Sequence, residues 1–201
     1  MKFPLFAFSL LLSVAVSAQD IEDIFEQLPG VVTDLTPAEA EFFMEEGSIV
    51  TLSGQDSVGF EILEKEEGYI RYRQAYINRP SSQFYYEIRV YERIREQGHI
   101  IAVSRQVGTG DNQWQRDFQL FEYTPDEEVF GIPPLDRTNM LRYAAPVIRD
   151  YSNSSDYLVL VELNPSGGTV SGFTFKVMRT ADYSLETAIP IKWNGTGFSA
   201  R

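Results

Sequence analysis

Between residues 69 and 116 the chain carries eight arginines and only four acids. Arg71, Arg73, Arg89, Arg93, Arg95 and Arg105 fall in stretches that alternate polar with apolar residues, and Tyr69, Tyr85 and Tyr91 fall among them. A guanidinium binds a carboxylate through two parallel hydrogen bonds and stacks on aromatic rings. On one sheet face, Arg71, Arg73, Arg89, Arg93 and Arg105 with Tyr69 and Tyr91 would form a cationic, aromatic surface for a ligand or a protein partner. Two other arrangements compete with it. The arginines can be ordinary solvent-facing positions neutralised by Glu87, Glu92 and Glu96, or they can receive the acidic N-terminal segment of the same chain.

Other chemistry is bounded by counting. There is one histidine, His99, and no cysteine. Thiol nucleophiles, disulfides and zinc sites built on Cys or several His are therefore excluded. His99 lies beside Ile100 and Ile101 at a strand start with no nucleophile-elbow motif nearby, and reads as a surface residue next to a turn. Glu61, Glu87, Glu122 and Glu162 lie in expected strands, where a facing pair could hydrolyse a glycosidic bond. Asp111, Asn112 and Asp117 offer oxygen ligands for calcium, although their spacing is not that of an EF-hand and such loops commonly satisfy their own backbone. Gly108 and Gly110 lack a phosphate-loop continuation. No cofactor is expected.

The elements that must position these residues follow from periodicity. Ile21, Ile24, Phe25 and Leu28 have helical spacing, stopped by Pro29-Gly30. A second helix has Thr36 as N-cap, Pro37 in the first position, Glu39 closing a capping box, Ala40, Phe43 and Met44 as its apolar side, and Gly47 at its end. From Ser48 the period changes to two. Strands are expected around Phe60 and Ile62, then over Tyr69 to Ile77, Phe84 to Ile94, His99 to Val107, Trp114 to Tyr123, Tyr157 to Leu163, Val170 to Met178 and Leu185 to Trp193. Tyr157 to Leu163 is dense in Val and Leu and reads as buried on both faces. Residues 136–149 suit a short helix. Short polar turns between strands predict a mainly β fold (with α+β as the alternative), its antiparallel sheets forming a sandwich or one strongly curved sheet, with two short N-terminal helices against it.

Residues 1–18 read as a cleavable signal peptide. Lys2 precedes an uncharged run over residues 3–16, and Val16-Ser17-Ala18 fits the small-x-small pattern for cleavage after Ala18. About 14 apolar residues fall short of the roughly 20 that span a bilayer as a helix, and no later window is longer, so stable membrane insertion is not expected. The product would be periplasmic or secreted. The remainder divides into an acidic helical segment, 19–47, and a strand-rich part, 48–201, forming one globular unit. The net charge is −12. Its distribution is uneven: residues 19–67 hold 14 acids and one base, Lys65, whereas residues 68–201 hold 15 of each. A chain without a net basic face is not expected to bind nucleic acid.

Short motifs add a resemblance. The segments Leu35-Thr36-Pro37-Ala38-Glu39, Gly68-Tyr69-Ile70, Ile101-Ala102-Val103-Ser104, Phe121-Glu122-Tyr123 and Lys192-Trp193-Asn194-Gly195-Thr196-Gly197-Phe198 resemble a group of exported bacterial proteins without an established activity. The resemblance implies a strand-rich exported fold and carries over no site residues. The closing segment has its own structural reading: Asn194-Gly195 turns a hairpin and Trp193 packs on Phe198 across it. Function is then expected to be that of an exported, non-catalytic binding or interaction module for an envelope or extracellular protein, in no specified oligomeric state. An inhibitor of a cell-wall hydrolase, approached by electrostatic steering, and a glycan hydrolase using strand carboxylates are the alternatives.

Overall fold

The computed structural model describes residues 21–26, 28, 34–79, 83–93, 98–109, 112–123, 130–131, 155–165 and 171–200. The expected signal peptide, the Pro29-Gly30 stop, Arg95 and the helix expected over 136–149 lie outside the described residues. The described part is mainly β, with two antiparallel sheets. One regular helix stands where two were expected: α1 (Ile21–Phe25) is a single short turn, and α2 (Pro37–Glu46) is the full element. Thr36 accepts from the Glu39 amide, and the Glu39 carboxylate accepts from the Thr36 amide at 2.8 Å. Gly47, at φ +76, stops the helix in the left-handed region that glycine enters without a Cβ penalty.

The first sheet runs in chain order: β1 (Ser48–Ser53), β2 (Asp56–Glu66), β3 (Tyr69–Tyr76), β4 (Gln83–Glu92), β5 (His99–Thr109), β6 (Asn112–Tyr123) and β7 (Phe130–Gly131). The second contains β8 (Tyr157–Leu163), β9 (Ser171–Arg179), β10 (Leu185–Trp193) and β11 (Phe198–Ala200), in the order β11-β10-β9-β8. The hairpin between β10 and β11 is as expected. Asn194 Oδ1 accepts from the Thr196 and Gly197 amides, and Trp193 pairs with Phe198 at 4.8 Å between ring centroids. The hairpin between β1 and β2 was not foreseen. It turns on Gly54, at φ +66, in a two-residue loop where Ser53 faces Asp56.

The long meander is covered on both faces. On one face Ile70, Tyr72, Tyr86, Ile88, Ile101, Val103 and Phe121 share a core with Ile21, Ile24, Phe25 and Leu28 and with Ala40, Phe43 and Met44 of α2. Phe25 and Phe43 both meet the Tyr72 ring at 5.7 Å in edge-to-face geometry, which aromatic quadrupoles favour. On the other face Tyr69, Tyr91, Ile100, Ala102, Phe118 and Leu120 share a second core with Val161, Leu163, Phe173, Phe175, Ile191 and Trp193 of the second sheet. The expectation that Tyr157 to Leu163 is buried on both faces needs correction. β8 is an edge strand, and only Val161 and Leu163 within it are fully buried.

Tyr72 sits between these layers, fully buried and stacked on Tyr86 at 4.7 Å, with no hydrogen-bond partner for its hydroxyl among the described residues. Burial pushes its phenol well above the ordinary range, and the Tyr86 phenol, buried by the same packing, to about 12. A buried hydroxyl without a partner costs on the order of 1 kcal/mol or more. Tyr72→Phe is therefore expected to leave the melting temperature unchanged or raise it by a few degrees. A drop of several degrees in calorimetry would show that the hydroxyl has a partner after all.

Candidate functional site

The expected cationic, aromatic surface is split: Tyr69, Arg89 and Tyr91 are buried, while Arg71, Arg73, Arg93 and Arg105 are part-exposed. Register places Tyr69 beside Arg89, Arg71 beside Glu87 and Arg73 beside Tyr85 on the face of the meander that the second sheet covers. Tyr69 and Tyr91 are fully buried, and Arg89 is only 4% exposed. Arg89 Nη1 donates to the Pro165 carbonyl at 2.6 Å, and the Tyr91 hydroxyl donates to the Gly172 carbonyl at 3.0 Å. Arg71 pairs with Glu87 at 3.6 Å, Arg73 with Glu61, and Arg93 with Glu122. Arg105 points the opposite way, toward the helix-covered face, where it grips Asp117 with two nitrogens at 2.6 Å each. The set is thus divided between two faces: Tyr69, Arg89 and Tyr91 are closed over by the second sheet, whereas Arg71 and Arg73 stay part-exposed and Arg73 reaches the groove described below.

Polar side chains of β4 and β5 on this face cap an edge. A sheet edge leaves a row of unpaired backbone groups. At β8 they are met by the meander: the Leu163 amide donates to Glu87 Oε2 at 2.8 Å, and the Val161 carbonyl accepts from Ser104 Oγ at 2.8 Å and Gln106 Nε2 at 3.1 Å. Trp193 Nε1 adds a bond to the Glu92 carbonyl at 2.9 Å. Burial pushes the Glu87 carboxyl up to about 7, against the lowering pull of the Leu163 amide and Arg71. Such a shift is common at catalytic sites. Here both oxygens have structural partners and the group is 5% exposed, so the shift reflects burial beneath a strand edge.

The other sequence candidates are also committed. Glu61, Glu122 and Glu162 each hold a cation, the last Lys176 at 2.7 Å. Asp117 is taken by Arg105, Asp111 and the Asn112 side chain lie outside the described residues, and no cluster of three potential metal ligands occurs among the described residues. His99 is not a surface residue. It is buried against Tyr123, 6.2 Å between rings, and burial lowers its pKa while Glu92 pulls the other way. Nor do the acidic helices dock on the arginines. They pack through apolar side chains on the face opposite Arg71, Arg73, Arg89 and Arg93, and Glu22 pairs with Lys65 at 2.6 Å.

The open ground lies at the other end of the meander, beyond the second sheet. A groove of about 620 Å³ is lined by Phe42 of α2, Ser48 and Val50 of β1, Gly59 and Glu61 of β2, and Arg73, Ala75 and Ile77 of β3 and its end. Val50, Gly59 and Ala75 are cross-strand neighbours, so two small residues form its floor. Val50 is 64% exposed, Leu52 75%, Ile77 53% and Phe42 50%. A run of exposed apolar side chains in one place marks an interaction surface more often than scattered single ones do. The charged side chains in the groove's lining are Glu61 and Arg73, which pair with each other; α2, which contributes Phe42, also carries the exposed Glu41, Glu45 and Glu46, without a cation partner among the described residues. None of these apolar residues was singled out from the sequence. The available signal was the uncharged alternating run Ser48 to Ser53 ending at Gly54.

No protein-family model matches this chain, and no curated protein or solved structure matches it.

Proposed function

We propose that this chain is an exported, non-catalytic interaction module, built as a β-sandwich with a helical layer, that binds an envelope or extracellular protein in the groove beside β1. The observation that carries this reading is the cluster of exposed apolar side chains, Phe42, Val50 and Ile77, around the small-residue floor of Gly59 and Ala75, with exposed Leu52 further along β1. Residues 1–18 supply the export signal, and the resemblance to exported bacterial proteins points the same way. The exposed acids of the neighbouring α2 favour a partner with a basic face, because complementary potentials speed encounter and select partners. An inhibitor of a basic cell-wall hydrolase is the same reading with the partner specified.

Gly59 gives a direct test. A Cβ at this position would meet only the Ala75 carbonyl oxygen, at 3.9 Å. Gly59→Leu should therefore fill the groove without disturbing the sheet. The purified protein, immobilised and washed with envelope extract, is expected to retain a protein that Gly59→Leu, with a melting temperature within a few degrees of the parent, does not retain. Retention of the same proteins by both forms, or of none by either, would overturn the groove as the site.

A further inference from the structure

The edge of β1 is built to accept a strand. The Ile62 amide donates to the Gly47 carbonyl at 2.8 Å, and β1 and β2 continue in that register from Ser48 facing Glu61 to Ser53 facing Asp56. Hydrogen-bonded and non-hydrogen-bonded pairs alternate along an antiparallel ladder. Ile49, Thr51 and Ser53 therefore bond β2, while Ser48, Val50 and Leu52 turn their amides and carbonyls outward. Among the described residues no strand pairs with that side. The contrast with β8, whose outward groups are met by Glu87, Ser104 and Gln106, is direct. β1 also lacks the devices that protect edges: it has no proline, no charged side chain and no bulge within its pairing.

The two sides of this edge differ in chemistry. Toward the groove it shows Val50 and Leu52, both exposed. Toward the opposite face lies α2, tied to β1 by the hydrogen bond from Thr51 Oγ1 to Glu39, with Glu41, Glu45 and Glu46 exposed. A strand added here would place alternate side chains against apolar and acidic surroundings. A second copy of the chain is the poorer occupant, because it would bring a second α2, equally acidic, alongside the first.

We propose that the β1 edge binds an extended segment of a partner protein by strand addition, in which apolar side chains facing Val50 and Leu52 alternate with lysine or arginine side chains facing α2. Backbone bonds to Ser48, Val50 and Leu52 supply the register, and the alternating pattern supplies selectivity. This rests on the groove reading given under Proposed function and adds the mode and chemistry of the partner.

The probe is an end-capped hexapeptide alternating valine and lysine, followed by amide hydrogen exchange on the intact protein. At saturating peptide, the Ser48, Val50 and Leu52 amides are expected to slow at least tenfold while Ile49 and Thr51 stay as they were. Replacing the lysines by glutamates should weaken binding at least tenfold, and N-methylation of the three alternate amides should abolish it. Exchange unchanged at the three outward amides, or equal binding of the glutamate peptide, would overturn strand addition. So would a dimer of the protein alone, by light scattering, that Val50→Lys converts to monomer, since the edge would then belong to a second copy. Capture of a partner that Gly59→Leu abolishes, without peptide protection at β1, would leave the groove reading standing and remove only this inference.

Discussion

Gly172→Ala should lower stability by about 3 kcal/mol, more than its size suggests, because the added methyl group has nowhere to go. A Cβ built on Gly172 lies 2.9 Å from the carbonyl carbon of Ile191 and 3.2 Å from that of Lys192, with the Ile191 oxygen nearer still. These are backbone atoms of the neighbouring strand, so no side chain can rotate away. β9 and β10 must separate where the register already shifts, between Pro190 and Lys192. The Gly172 carbonyl also accepts the hydroxyl of Tyr91 from the other sheet. Displacing it loosens the pocket in which Tyr91, Trp193 and Phe198 meet at 4.8 to 5.7 Å between ring centroids. For a chain of this length the expected loss is about 10 °C in melting temperature, with a change in tryptophan emission. An unchanged melting temperature would mean that β9 and β10 do not approach as closely as described.

The second large effect concerns Glu87. Its folded pKa is about 7 against 4.5 for the unreacted group, so the folded protein holds a proton there that the unfolded chain has lost. Between pH 4.5 and pH 7 stability from this group falls as pH rises, and above pH 7 the deficit is constant. A rise of that size corresponds to about 3 kcal/mol. Gln keeps an acceptor for the Leu163 amide and never ionises. Glu87→Gln is therefore expected to match the parent near pH 4.5 and to exceed its stability at pH 8 by about 3 kcal/mol, the Arg71 attraction being already contained in the raised pKa. Glu87→Ala should destabilise at every pH, since it strands a buried amide. His99 acts in the opposite sense: its lowered pKa makes stability fall as pH drops below the ordinary histidine range. It is common to parent and variant, so the difference between their pH curves isolates Glu87. Parallel curves for parent and Glu87→Gln from pH 4.5 to 8 would contradict the assignment.

Local signals in the sequence are explicit where one residue type fixes one geometry. Thr36 and Glu39 cap α2, Gly47 ends it, and Ala40, Phe43 and Met44 are its buried side. The strands from Tyr69 to Tyr123 and from Leu185 to Trp193 follow from period-two alternation. Alternation alone failed at β4. Glu87, Arg89 and Tyr91 have the look of a solvent face, but all three lie under the second sheet. A face that is polar because it caps another strand's backbone is written in the same residues as a face that is polar because it meets water. Only the long-range contacts from Glu87 and Arg89 to residues 163 and 165 separate the two. The charge asymmetry misled for a related reason. Opposite charge on two segments is one reason for them to meet, but the helices dock by burying Phe25, Phe43 and their neighbours, while Arg71, Arg73, Arg93 and Arg105 pair with acids of the strands and Arg89 with the Pro165 carbonyl.

The groove beside β1 was illegible because it depends on an absence of cover. Val50 and Leu52 look like ordinary strand residues until the second sheet is seen to stop short of them. The same chain thus treats its two long edges in opposite ways. At β8 the outward groups are capped by side chains that cross between sheets. At β1 they meet no strand among the described residues and lie beside exposed apolar residues and an acidic helix.

Amide hydrogen exchange of the protein alone tests that contrast most directly, because exchange reads hydrogen bonding at single backbone groups. After correction for intrinsic rates, the Leu163 amide, an outward group on an edge strand, is expected to exchange at least tenfold more slowly than those of Val50 and Leu52. Leu163 exchanging as fast as Val50 and Leu52, or those two as slowly as Ile49 and Thr51, would contradict it.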